Sequence, residues 1–173
     1  MTRNLLRAGA LLFLTATGAV HAQTVGEVDK RQSGVIEAWE KTTLTTRRAI
    51  FVKNKAPLFG AYEERGSNVF KPNEPLLVYA EPVGYGWRSG ADGFDFGISV
   101  DFQVKKPDGQ ILGGQERFTI AAFKSRAKVQ ELMVNLTLTL TDFPVGDYVL
   151  EYKLHDITSD KATSFALPFK ITP

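Results

Sequence analysis

The sequence contains no cysteine. No disulfide can brace it, no thiolate can hold a metal, and no cysteine can act as a nucleophile. Histidine is nearly as scarce, with only His21 and His155. A zinc site needs three or four imidazole or thiolate ligands, and that supply is missing. One histidine is enough for a Ser-His-Asp hydrolase by count, yet no Gly-x-Ser-x-Gly elbow accompanies it. Dinucleotide and P-loop phosphate fingerprints are absent too. The chain is therefore read as non-enzymatic and without a cofactor or a metal.

Charge of one sign is also lacking. The 21 basic and 19 acidic side chains nearly cancel, and two of the basic ones, Arg3 and Arg7, lie in the first 22 residues, which hold no acid. The remainder balances at 19 of each, which gives no basic excess to attract nucleic acid. No apolar run is long enough to cross a bilayer, which takes roughly 20 residues.

What is present begins with a leader. Arg3 and Arg7 precede the short apolar stretch Ala8–Ala16, and Val20-His21-Ala22 sets permitted residues at the −3 and −1 positions of a cleavage site before Gln23. Residues 1–22 thus read as a secretory signal peptide, which places the protein in the periplasm or outside the cell. The remaining chain is of ordinary single-domain size, and 43% of the whole sequence is hydrophobic, so a core can form without disulfides.

Residues 23–33 are polar and read as loose. Ser33 is suited to cap a short helix over Gly34–Lys41, with Val35, Ile36 and Trp39 on one side; residues 23–43 form an N-terminal extension. From residue 44 to 173 the pattern has period two. Arg47–Val52 and Leu76–Pro82 read as strands. Phe94, Phe96, Ile98, Val100, Phe102 and Val104 alternate with polar residues over twelve positions, which places the apolar set on one face of a long strand. Pro107-Asp108-Gly109 turns the chain into a partner strand from Ile111 to about Phe118, with Gly113-Gly114 suited to a bulge. Ser125–Gln130 is a helical turn or a crossover between sheets. Alternation resumes in Leu132–Thr141, Tyr148–Leu154 and Phe165–Ile171. About seven strands with turn signals between them predict an antiparallel sandwich.

The run Phe143-Pro144-Val145-Gly146-Asp147-Tyr148-Val149-Leu150 resembles the tyrosine corner of immunoglobulin-like sandwiches, with Tyr148 as the tyrosine and Leu150 where a true immunoglobulin domain carries a cysteine. The resemblance implies an immunoglobulin-like β-sandwich in which the Tyr148 hydroxyl bonds back to nearby backbone. The final hairpin, Tyr148–Asp156 and Thr163–Ile171, resembles the terminal strand pair of many bacterial immunoglobulin-like domains, and the stretch Asn68–Gly86 is similar to uncharacterised secreted proteins of proteobacteria. That resemblance brings no activity with it.

The most suggestive surface is the loop from Gly84 to Gly93, with four glycines in ten residues. Tyr85, Trp87, Arg88 and Asp92 are its candidate binding residues, because amphipathic rings and a planar cation give large contact area for few rotatable bonds. The alternative is that Trp87 folds back as a lid over the open end of the sandwich. Tyr62-Glu63-Glu64-Arg65 is a second candidate surface or a solvated charge run. Asp95 and Asp101 share an outward strand face with Ser99 and Gln103, and His155 reads as a strand histidine. The expectation is a binding module engaging a protein or a cell-envelope glycan. An assembly component acting through sheet edges is the runner-up, and a hydrolase using Asp92 or Asp95 comes last.

Overall fold

The computed structural model describes residues 24–173. The expected leader and cleavage site lie outside the described residues. Among the described residues a single helix is followed by nine strands in two sheets.

Helix α1 spans Val25–Lys41 and is twice as long as the periodicity predicts. Thr24 is its N-cap, with its hydroxyl accepting from the N–H of Glu27, and Glu27 pairs with Arg31 one turn on at 2.9 Å. Ser33 does not cap; its hydroxyl donates to the carbonyl of Asp29 inside the helix. The polar first half forms a helix because capping and an i,i+4 ion pair act there without an apolar stripe. No helix among the described residues is long and apolar enough to cross a membrane.

The small sheet contains β1 (Thr45–Phe51), β3 (Leu76–Val83) and β7 (Val134–Leu138), antiparallel, with β3 in the middle. The large sheet starts from β2 (Val69–Phe70), parallel to β9 (Ala162–Ile171), and continues through β8 (Gly146–Asp156) to β5 (Gly93–Lys105). One edge of β5 is shared end to end by β8 and the short β4 (Arg88–Gly90); the other carries β6 (Ile111–Ser125). Residues 126–133 cross from the large sheet to the small one. Strand β6 runs well past Phe118, and part of the expected glycine-rich loop is β4, hairpinned onto β5.

The alternating residues meet as period two demands. Leu76, Val78, Val134, Leu136 and Leu138 of the small sheet share one buried cluster with Phe96, Ile98, Val100, Leu150, Tyr152, Leu154 and Phe169 of the large sheet. Each such fully buried side chain contributes about 2 kcal/mol of transfer free energy. The Tyr148 hydroxyl donates to the Pro144 carbonyl at 2.7 Å, the back-bond expected from the sequence.

The small sheet is covered on its other face as well. Residues after β1 fold over it and build a second cluster of Val52, Ala56 and Tyr79, with Tyr62 and Leu77 against it. Asn135 of β7 holds Ala56 by both backbone groups, at 2.8 and 3.0 Å. Gly60 N–H donates to the Tyr79 hydroxyl, which donates to Glu81 at 2.8 Å. Burial, and then the Glu81 carboxylate, push the Tyr79 phenol up to about 12. The second candidate surface is part of this cover: Tyr62 lies on Tyr79, Glu63 pairs with Lys53, and Arg65 pairs with Glu74 over the Phe70 ring.

Candidate functional site

The glycine-rich segment does not hold its four candidates on one surface. Tyr85 is wholly buried, at 0% exposure. Its hydroxyl donates to the Val129 carbonyl at 2.9 Å, its ring stacks on Phe96, and burial drives its phenol far above the usual range. Trp87 is half-buried against the core, and its indole N–H donates to the same Val129 carbonyl at 2.9 Å. Trp39 of α1 completes the group: its N–H donates to the Tyr85 carbonyl at 2.8 Å and its ring lies 5.8 Å from Trp87. Satisfied N–H groups and ring–ring contacts make this cluster the closure of one end of the sandwich. Arg88 and Asp92 are exposed, in β4 and in the turn after it.

The glycines here serve close approach more than mobility. A Cβ on Gly84 would stand 2.5 Å from the Thr43 carbonyl oxygen, and one on Gly86 would stand 2.7 Å from the Thr158 hydroxyl. Asp156, buried at the end of β8, accepts from Gly86 N–H at 2.7 Å and from the N–H and hydroxyl of Thr158. Lys161 then donates to the carbonyls of Thr42 and Gly84, both at 2.8 Å. These contacts tie α1, the turn after β3 and the β8–β9 turn together, so they are structural.

The outer face of the large sheet holds the chemistry that the sequence reading did not assemble. His155 of β8 and Asp101 of β5 are 54 positions apart, yet His155 Nε2 lies 2.7 Å from Asp101 Oδ2. The other carboxylate oxygen accepts the N–H of Arg117 at 2.9 Å. Burial raises the Asp101 pKa, but the Arg117 N–H and then the His155 ring outweigh it and hold the carboxyl below its usual value. Arg117 has φ +49, a left-handed conformation costly for a side-chain-bearing residue. It sits where the register of β5 against β6 shifts between Val100 and Phe102, so β6 bulges towards Asp101.

This bulge opens the sheet face. A depression of about 510 Å³ is lined by Ser99, Asp101, Glu116, Arg117, Lys153 and His155. A second, of about 480 Å³, adjoins it and shares Asp101, Glu116 and Lys153; on its β6 side Gly113 and Gly114 stand between Ile111-Leu112 and Gln115-Glu116. Asp95 also belongs to this face, 3.9 Å from Lys124. No group of three or more metal-ligating side chains occurs among the described residues.

Strand β6 forms the rim of this face. Among the described residues it pairs with β5 alone, on both sides of the break at Glu116–Phe118. Ile120 points outward, 56% exposed, opposite Ser99; Phe123 stacks on Phe96 at the core side and remains 47% exposed.

No family model and no curated protein matches the sequence. Solved structures offer only a distant likeness. A superoxide reductase (neelaredoxin) from Ignicoccus hospitalis is 15% identical over 87% of this chain and 100% of its own, with a TM-score of 0.41. A variant of the same protein gives 16% identity over the same shares and a TM-score of 0.37. Neither likeness reaches the level at which a shared fold carries a function.

Proposed function

We propose that the chain is a non-enzymatic interaction module of the periplasm or cell exterior, built on an immunoglobulin-like sandwich, which takes an extended segment of a partner protein along the free edge of β6. The observation that carries the reading is the unpaired far side of that strand, Ile111–Ser125. Its N–H and C=O groups are a template for one more strand. An added strand would also cover Ile120 on one face and Phe123 on the other, which are now exposed at the rim. A protein segment fits better than a glycan here, because only a polypeptide matches a row of backbone donors and acceptors.

Strand β1, an edge of the small sheet, is a poorer template. The N–H of Arg65 already donates to the Phe51 carbonyl, and the N–H of Lys53 to the Glu63 carbonyl, so the end of β1 is covered. The bond between Tyr148 and Pro144 supports the immunoglobulin-like reading. The residues before Gln23 support the secreted one.

A photo-cross-linking residue in place of Ala122, compared with one in place of Ser164 on β9, tests the edge in intact cells. A protein adduct at position 122 that Ile120→Lys removes, with none at 164, is the expected result. Equal labelling at both positions, or none at 122, would overturn the proposal.

A further inference from the structure

The outer-face groove and the β6 edge are separate features, and the groove carries its own inference. Most lysines around the large sheet are neutralised: Lys105 by Glu151 at 2.9 Å, Lys124 by Asp95, Lys170 by Asp147. Lys153 and the Arg117 guanidinium have no ion-pair partner among the described residues, although both line the groove. His155 stands two residues from Lys153 on β8, its ring held by Asp101 of β5, with Arg117 across on β6. Asp101, Glu116 and the buried Asp156 share this lining with the two cations. Both Asp101 oxygens are engaged, by His155 and by the Arg117 N–H. Glu116 is exposed on β6 and free to accept hydrogen bonds.

We propose that this groove binds an acidic sugar chain, with one carboxylate held at the Arg117, Lys153 and His155 end. The chemistry favours a sugar over a lone anion or a peptide. The two depressions adjoin, sharing Asp101, Glu116 and Lys153, and together offer more room than a single anion needs. Its remaining polar lining, Ser99, Gln103, Gln115 and Glu116, suits hydroxyl groups, which both donate and accept. Ile111 and Leu112 give the second depression an apolar strip for the C–H face of a ring. Arginine and lysine supply charge-assisted bonds to the carboxylate, and the fork of Arg117 can make two at once.

Calorimetric titration of the purified protein with a hexameric uronic acid, a neutral hexaose and inorganic phosphate tests this. The uronic acid hexamer is expected to bind, and neither other probe to match it. Lys153→Ala should weaken its binding about tenfold, the scale of one charge-assisted contact. Lys170→Ala, on the same sheet but outside the groove, should not. The proposal is overturned if the acidic hexamer fails to bind, if the neutral hexaose or phosphate binds as well, or if Lys153→Ala changes nothing while the variant remains folded by circular dichroism. Its outcome is independent of cross-linking at position 122, so either proposal can fail alone.

Discussion

Tyr152 lies in the middle of the core with no exposed surface, and its hydroxyl has no hydrogen-bond partner among the described residues. Burial alone drives its phenol well above the ordinary range. An unpaired buried hydroxyl costs about 1–3 kcal/mol, so Tyr152→Phe should stabilise the protein by about 1 kcal/mol in urea denaturation. Asp101 behaves in the opposite way, because both its oxygens are used. Its pKa is lower folded than unfolded, so its contribution is present above the unfolded value, near 4, and is lost as the pH falls through the folded value. Asp101→Asn should cost about 1 kcal/mol at pH 7 and flatten the fall in stability below about pH 4. Thermal melts of both proteins from pH 7 to pH 2 check this. Such pairings are hard to read from a sequence. Alternation told that Asp101 faces outward, but not that β8 lies beside β5 in the register that sets His155 against it.

Among the elements, α1 shows what propensity and periodicity miss. Only Trp39 of its residues is buried, and Val25 and Val28 are exposed. The helix is held mainly at its C-terminal end, where Lys161 donates to the carbonyls of Glu40 and Thr42. An ammonium there meets the negative end of the helix as well as its free carbonyls. Lys161→Met keeps the length of the side chain and removes those bonds. It should cost about 2 kcal/mol and speed amide exchange in the last turn of α1 ahead of the strands, measured by hydrogen exchange with mass spectrometry. Strand β6 was read short for a related reason. Its regular pairing is interrupted around Arg117, and a sequence gives no sign that the chain resumes the same ladder beyond the bulge.

Across the whole molecule, the two-sheet core was legible because alternating apolar residues have few other ways to leave water. Phe96, Ile98, Val100, Leu136, Leu150 and Leu154 all lie in the shared cluster. The candidate binding loop was less legible, because Trp and Tyr suit a contact surface and the closure of a core equally well. What decided between them was the Val129 carbonyl, which accepts from both Tyr85 and Trp87 and is 42 or more positions away in the chain. The cover of residues 52–64 over the small sheet had no sequence signal beyond Tyr62 and scattered glycines. It depends on Asn135 meeting Ala56, a contact 79 positions apart.

That cover makes the protein one-sided. The three-stranded layer is clothed front and back, whereas the larger layer keeps one face wet and its β6 margin open. A body of this kind can be gripped from behind, or tethered through the clothed side, while its other side stays available to whatever approaches from solution.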